Sequence, residues 1–111
     1  MMHMPGILIA DEDVLTRKRM ADLFIKAGYQ VTVTNSAAGV LYGILKKTAQ
    51  VVLLSTRFDE LLATELIPIL KKCNRNLTII LVASELPLAL IRKARSEGIF
   101  YHALKPSKPS E

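Results

Sequence analysis

Residues 7–13 have the sequence ILIADED, in which a continuous aliphatic run stops abruptly at three consecutive acids. A short run that is apolar on both faces is typical of a strand buried in a parallel sheet, and the acids mark its end. Further apolar runs occupy residues 51–54 and 77–83, and residues 99–104 form another candidate strand before Lys105-Pro106. Residues 30–34 alternate between apolar and polar side chains, as an edge strand does. We therefore predict five strands.

Segments with helical periodicity separate these strands, and capping residues mark their ends. Asn35-Ser36 and Ser84 are expected to cap the second and fourth helices, and Gly28 and Gly98 to end the first and fourth. Pro68 is expected in the first turn of the third helix, which would then begin near residue 64 or 65. The predicted helices cover roughly residues 15–27, 36–47, 64–73 and 87–97, and the second is expected to turn Val40, Leu41, Ile44 and Leu45 inward.

Strands that alternate with helices predict an α/β fold, a doubly wound five-stranded parallel sheet with helices on both faces. We expect residues 1–111 to form a single domain with a flexible start at residues 1–5 and a short tail at residues 107–111. No helix is predicted after the fifth strand. That departs from the usual pattern of such domains and indicates either a truncated chain or an exposed flank.

Composition narrows the classes of function. Half of the 111 residues are hydrophobic and 5% are aromatic, so the core is expected to be aliphatic. The net charge is +5, but the basic residues cluster on predicted helices without interleaved aromatic side chains, which makes nucleic-acid binding unlikely for this domain alone. Cys73 is the sole cysteine, which excludes an intrachain disulfide. Since no signal peptide or membrane span is recognisable, we expect a cytoplasmic domain.

The residues at the carboxyl ends of the strands are the candidates for chemistry, because ligands of open parallel sheets bind there. Asp11, Glu12 and Asp13 follow the first strand, Ser55 ends the third, and Lys105 follows the fifth. Adjacent carboxylates suit a hard cation such as Mg²⁺, or a basic side chain. They are equally suited to cap the first helix. Spacing alone leaves both interpretations open.

The acidic end of the first strand and the pair Lys105-Pro106 resemble the receiver domains of response regulators, and the resemblance covers nearly the whole chain. It implies a flavodoxin-like sheet with strand order 2-1-3-4-5. It also implies an aspartate on the third strand that accepts a phosphoryl group from a histidine kinase, with Mg²⁺ held by the first acids. A lysine, a Ser or Thr hydroxyl and an aromatic side chain complete the family's site.

Several positions depart from that family pattern. Ser55 stands where the resemblance places the phosphoacceptor, and Val82 where it places the switch hydroxyl, unless a one-residue slip puts Ala83 there. His102 stands at the switch aromatic position, beside Tyr101. A serine hydroxyl near neutral pH is a poor nucleophile without a base to activate it. The acceptor and switch positions are therefore expected to be degenerate, without catalytic residues.

The rest of the pocket is expected to survive as a remnant. By resemblance, Asp11 and Glu12 match the metal-binding acids, and Lys105 and Pro106 match the family's lysine and its usually cis proline. Mg²⁺ binding is expected to be weak or absent. Arg57 either folds into the acidic pocket in place of the metal or lies exposed in a loop. Asp59, four residues beyond Ser55, is too distant to be favoured as a substitute acceptor.

These features favour an atypical receiver that signals by phosphorylation-independent protein–protein interaction and is not an enzyme. The alternatives are a phosphotransfer receiver with an unusual acceptor and a nucleic-acid-binding accessory domain. In the family, the face formed by the fourth helix and fifth strand contacts partners. A protein partner or a second copy is therefore expected there, at a face that includes Leu88, Leu90, Ile91, Arg95, Tyr101 and His102.

Overall fold

The computed structural model describes residues 6–55, 57–58, 61–83, 87–99 and 101–104. Four helices and seven strands lie within these ranges. In chain order the elements are β1 (Gly6–Ala10), α1 (Val14–Lys26), β2 (Gln30–Thr34), α2 (Ala37–Leu45), β3 (Val51–Ser55), β4 (Arg57–Phe58), β5 (Leu61–Leu62), α3 (Ala63–Cys73), β6 (Thr78–Ala83), α4 (Leu88–Glu97) and β7 (Tyr101–Leu104). The expectation that no helix follows the last strand concerns residues 105–111, which lie outside the described ranges.

The main sheet has five parallel strands in the order β2-β1-β3-β6-β7. Counting the five predicted strands along the chain, this is the order 2-1-3-4-5, so the predicted doubly wound α/β fold is confirmed. The register pairs Ala10 with Leu54 and Ser55 with Val82. The carboxyl ends of β1, β3 and β6 therefore lie side by side at one edge of the sheet.

The core has two layers, one on each face of the sheet. On one face, Val52, Leu54 and Leu81 pack under buried residues of α2, α3 and α4. On the other face, Ile9 and Leu53 pack under α1, the helix that supplies the buried side chains of that layer. These strands are continuously apolar because both of their faces are covered.

Local sequence signals set the helix ends. The Asp13 side chain accepts a hydrogen bond from the Thr16 amide at 2.9 Å at the start of α1, and Ser36 caps α2 through the Gly39 amide at 3.0 Å. Gly98 ends α4 with φ +105°. That left-handed conformation costs glycine little and other residues more, which explains why glycine stands there.

Three details correct the expectations for the helices. Leu45 is 69% exposed at the last position of α2, so it does not turn inward. Pro68 lies in the second turn of α3, because that helix begins at Ala63 and Pro68 is its sixth residue. The N-cap of α4 is Pro87, without a side-chain hydrogen bond, and the expected cap Ser84 lies outside the described residues.

The connection between β3 and α3 contains two short strands that are not among the five predicted strands. Arg57 pairs with Leu62 and Phe58 with Leu61 in an antiparallel hairpin separate from the main sheet. The hairpin follows the carboxyl end of β3 directly and therefore lies next to the candidate site. In the part of the chain that the structure describes, no helix is both long and apolar enough to cross a bilayer.

Candidate functional site

The candidate site is built from the adjoining ends of β1, β3 and β6. Asp11 comes directly after β1, and its side chain is 1% exposed. Ser55 is the last residue of β3 and is 4% exposed. Because Ala10 pairs with Leu54, the two residues that follow, Asp11 and Ser55, lie on neighbouring strands at the same level of the sheet. The structure thus brings together two of the site residues predicted from the sequence.

Asp11 shapes the turn between β1 and α1. Its Oδ1 accepts a hydrogen bond from the Asp13 amide at 3.0 Å. Its backbone carbonyl accepts one from a guanidinium nitrogen of Arg17 at 2.7 Å. The carboxylate therefore has a structural role in the chain turn, in addition to lining the site.

The other two acids of the triplet have different environments. Asp13 caps α1, since its Oδ2 accepts from both the amide and the hydroxyl of Thr16. Glu12 is exposed. The capping interpretation of the acids is thus confirmed for Asp13, and one buried carboxylate, that of Asp11, remains at the strand ends of the described part of the site.

Arg17 is the site residue that the sequence analysis missed. It is one of the basic residues that cluster on the predicted helices, but its side chain is half-buried and donates a hydrogen bond to the Asp11 carbonyl. A signal was present, because Arg17 falls in the first turn of α1, where the helix dipole disfavours a cation. A basic residue at such a position indicates a compensating acceptor nearby.

Val82 lies opposite Ser55 in the sheet register and is 4% exposed. It also pairs with Ala103 of β7. Val82 has no hydroxyl, and the buried Ala83 follows it, so β6 offers no side-chain donor at either of the two predicted switch positions. The described end of β6 is apolar.

His102 lies on the edge strand β7, opposite Leu81. Its ring stacks on that of Tyr101, with centroids 5.6 Å apart and an interplanar angle of 17°. Tyr101 is 57% exposed, whereas His102 is half-buried and its Nδ1 has no hydrogen-bond partner among the described residues. The two rings stack at the edge of the sheet that β7 forms among the described strands.

Other predicted residues fall outside what the structure describes. Lys105 and Pro106 follow the last described residue, and Asp59 lies between β4 and β5. Arg57 is placed in β4, but its side chain is outside the described set. The interpretation of Arg57 as a substitute cation therefore stays a prediction.

The described donor set does not fit a Mg²⁺ site with several carboxylate ligands. Mg²⁺ takes hard oxygen ligands in octahedral geometry, with carboxylates as its usual protein ligands. Here Asp11 is buried, Glu12 is exposed, and Ser55 supplies a neutral hydroxyl. Among the described residues, no group of three or more His, Cys, Asp or Glu side chains could hold a metal.

A comparison with protein families identifies the fold's relatives. Residues 7–111 match the family model of the response regulator receiver domain. The chain belongs to this receiver family. Receiver domains serve two-component signalling, and the predicted family resemblance is thereby confirmed.

Relatives of this receiver domain are known in sequence and in structure. The DNA-binding transcriptional regulator NtrC of Rhizobium meliloti (strain 1021) is 26% identical over 100 residues, which cover 90% of this chain and 21% of that protein. The chain therefore spans about a fifth of the length of this relative.

Two solved structures show the same fold at low sequence identity. The chemotaxis protein CheY4 of Vibrio cholerae is 16% identical with a TM-score of 0.86, covering 95% of this chain and 89% of that one. A response regulator of Burkholderia pseudomallei with a phosphorylated aspartic acid and a calcium ion is 15% identical with a TM-score of 0.84, covering 94% of this chain and 61% of that one. These likenesses support the fold alone.

Proposed function

We propose that this receiver domain signals by binding a protein partner and does not take up a phosphoryl group. The observation that carries the proposal is Ser55, a buried hydroxyl at the carboxyl end of β3, next to the buried carboxylate of Asp11. By the family resemblance, an acceptor aspartate would stand at this position.

The chemistry of Ser55 argues against phosphorylation. A carboxylate is a charged nucleophile, whereas a serine hydroxyl needs a base to activate it. The nearest described base is Asp11, whose Oδ1 already accepts from the Asp13 amide. Val82, opposite Ser55, cannot donate a hydrogen bond to a phosphoryl oxygen. These residues support neither phosphoryl transfer to Ser55 nor a hydrogen bond from Val82 to a transferred phosphoryl group.

The cation chemistry of the site agrees with this proposal. Phosphoryl transfer depends on metal ions that neutralise charge on the transferring group. Ser55 supplies a neutral hydroxyl where the family resemblance places a third carboxylate beside Asp11 and Glu12, and the Arg17 guanidinium donates a hydrogen bond to the carbonyl of Asp11. We therefore infer that Arg17 gives the pocket a permanent positive charge and that Mg²⁺ binds weakly or not at all.

The proposed partner surface is the face formed by α4 and β7. Leu88 is 60% exposed at the start of α4, and Arg95 is exposed near its end. His102 lies on this side of the sheet, opposite Leu81, whereas Tyr101 lies opposite Ile80 and lines a cavity beside α1 on the other side, so the predicted face is corrected for Tyr101. Exposed apolar and aromatic side chains beside a cation are typical of residues that anchor protein partners. In this proposal the domain is cytoplasmic and is not an enzyme.

The test is incubation with acetyl phosphate and Mg²⁺, followed by intact-mass measurement. A receiver that is known to be phosphorylated serves as the positive control in parallel. We expect no mass increase in this chain under conditions that phosphorylate the control. The addition of one phosphate, mapped to an acidic residue by fragmentation, would refute the proposal.

A further inference from the structure

Helix α2 differs from the other helices in having no charged residue. Its sequence, AAGVLYGIL, is apolar on every side apart from one tyrosine hydroxyl. The other helices carry five charged residues on α1, three on α3 and four on α4. A helix that is apolar all round is normally covered on all sides. Among the described residues the sheet side of α2 is buried, but its outer residues Tyr42 and Leu45 are 63% and 69% exposed.

The outer surface of α2 continues onto α3. Leu45 and Cys73, at the ends of the two helices, line the same cavity of about 390 Å³. Ile69 lies about one turn before Cys73 and is 50% exposed. We call this surface the α2–α3 face and define it by exposed residues of both helices, which are Ala38, Tyr42 and Leu45 on α2, and Glu65, Ile69 and Lys72 on α3.

The two helices repeat one spacing on this face. The exposed residues stand at positions 38, 42 and 45 on α2 and at positions 65, 69 and 72 on α3. On α2 a central tyrosine lies between an alanine and a leucine, and on α3 a central isoleucine lies between a glutamate and a lysine. The two end residues of each helix therefore complement each other, in size on α2 and in charge on α3.

We propose that the α2–α3 face binds the same face of a second copy of this chain, in an antiparallel twofold dimer. The twofold axis crosses α2 at Tyr42 and α3 at Ile69, so that each helix packs against its own copy running in the opposite direction. This inference goes beyond the proposed function, because it concerns a different surface from the face of α4 and β7 and does not depend on phosphate uptake.

The end residues pair across this axis. Lys72 of each copy meets Glu65 of the other, which gives two pairs of opposite charges in the dimer. Leu45 of each copy meets Ala38 of the other, so a large side chain packs over a small one. A parallel dimer would instead place the charged residues of α3 opposite the uncharged α2. Charge complementarity therefore selects the antiparallel arrangement.

A second copy accounts for this pattern better than another occupant does. An interface with a twofold axis uses the same patch on both subunits, so the patch has to complement itself. A different protein, or another segment of this chain, has to complement the face as it stands, and opposed ends within each helix would serve no purpose. An anionic membrane surface would repel Glu65.

The residue at the centre of α2 is held in place before binding. The Lys46 ammonium lies 4.9 Å from the centre of the Tyr42 ring, a cation–π distance that orients the ring. Less conformational freedom is then lost when the dimer forms. Helices of nine and eleven residues offer a small surface, so we expect weak association, at the low end of interface sizes.

Sedimentation equilibrium of the 111-residue protein, from about 10 μM to about 1 mM, covers the range expected of a weak dimer. We expect a monomer–dimer equilibrium. Amide NMR spectra over the same dilution series locate the interface, with shifts centred on Tyr42 and Ile69.

Charge reversal tests the antiparallel pairing. Glu65→Lys and Lys72→Glu each place like charges opposite one another at both ends of α3, and each should weaken the dimer at least about tenfold. An equal mixture of the two variants restores opposite charges at both ends, because each variant supplies what the other lacks. The mixture should associate within about threefold of the unaltered chain.

Two isoleucines form a matched pair for the apolar contact. Ile69 and Ile25 are 50% and 56% exposed, but Ile25 belongs to α1, on the other side of the sheet. Ile69→Ser should weaken the dimer at least about tenfold, because each dimer loses two isoleucine side chains at its axis. Ile25→Ser should leave the dimer within about twofold.

Several results would overturn the inference. They are a protein that stays monomeric at about 1 mM, a dimer that Ile69→Ser leaves unchanged, and a mixture of the two charge variants that associates no better than either alone. Binding of the monomer to phosphatidylglycerol vesicles that Ile69→Ser abolishes would assign the face to a membrane surface instead. Rescue in the mixture also excludes misfolding as the cause of the weakened association.

Discussion

Ser55 of β3 and Val82 of β6 are partners in the sheet register, and each is 4% exposed. A hydroxyl and a branched hydrocarbon therefore lie side by side at the buried edge of the site, next to Asp11, whose carboxylate is the one that is buried among the described residues. The carboxyl group of Asp11 already lies at this buried position. A second carboxylate would be desolvated and would face a like charge, both of which disfavour ionisation.

Ser55→Asp is expected to destabilise the fold near neutral pH. It would place a second carboxylate at the level of Asp11 on the neighbouring strand. We expect the free energy of unfolding to fall by about 2–3 kcal/mol, because two carboxylates would then be buried side by side and the single cation that the described residues supply there, Arg17, would offset only one of them. Urea denaturation at pH 7 measures the change.

Ser55→Asn is the matched control for that variant, since it has the same shape without the charge. It should lose less stability than Ser55→Asp near neutral pH, and the difference should shrink in acid, where a carboxyl is protonated. Equal stabilities of the two variants across this range would show that the Asp11 carboxylate does not repel a charge at residue 55.

Arg17→Met is expected to loosen the turn after β1. It removes the hydrogen bond from the guanidinium to the Asp11 carbonyl, at 2.7 Å, while it keeps much of the aliphatic stem. Arg17 is half-buried, so solvent screening limits the expected loss to about 1 kcal/mol of unfolding free energy. Lys18→Met, on the exposed surface of the same helix, should change stability by less than about 0.5 kcal/mol.

The same pair of variants tests the inferred role of Arg17 as the resident cation. With the guanidinium removed, Mg²⁺ should produce larger amide shifts around Asp11 in Arg17→Met than in the unaltered chain or in Lys18→Met. Identical Mg²⁺ titrations in all three proteins would show that Arg17 does not oppose metal binding at this edge of the sheet.

The sheet could be predicted from the sequence because its signals are local. Residues 7–10 and 51–54 are apolar on both faces, which a strand covered on both sides requires. Gly28 and Gly98 both adopt positive φ, at +95° and +105°, where the helix-ending glycines were predicted. Strand periodicity and capping depend on neighbouring residues, so a single sequence reveals them.

The contacts at the site could not be predicted in the same way. The reach of Arg17 to the Asp11 carbonyl depends on how α1 is oriented after its cap, which is a tertiary feature. The hairpin of Arg57 and Leu62 forms over too few residues for periodicity to reveal it. Leu45 repeats at helical spacing but falls at the last position of α2, where it is 69% exposed. The periodicity of the sequence predicts where the helices and strands lie, whereas tertiary packing determines which side chains come into contact.

Gly39 and Gly43 of α2 should respond in opposite directions to alanine. A Cβ at Gly39 would overlap the side chain of Thr34, whereas a Cβ at Gly43 would lie 3.3 Å from the flexible end of Leu8. Gly39→Ala should therefore lower the free energy of unfolding by about 2 kcal/mol through overpacking. Gly43→Ala should raise it by up to about 1 kcal/mol, because alanine favours the helix. Thermal unfolding of both variants shows whether each substitution raises or lowers stability. A Gly39→Ala variant that is more stable than the unaltered chain would contradict the close packing of α2 on β2.

Pro68→Ala is expected to stabilise the domain, since proline occupies the sixth position of α3. Proline has no amide hydrogen to donate to the carbonyl four residues earlier, that of the buried Thr64. Alanine would restore this bond, and we expect a gain of about 1–2 kcal/mol in the free energy of unfolding, less than the full cost of an interior proline because Pro68 is itself half-buried.

Pro87→Ala is expected to lower the free energy of unfolding, whereas Pro68→Ala is expected to raise it. Urea denaturation of both variants measures the two changes. Pro87 precedes α4 as its N-cap, with φ −57°, where a proline needs no amide hydrogen bond and restricts the unfolded chain. Its replacement should cost about 0.4–1 kcal/mol. A loss of stability in both variants would mean that the packing of Pro68 against its neighbours outweighs the missing hydrogen bond. The second turn of α3 would then be held by side-chain contacts and not by its backbone.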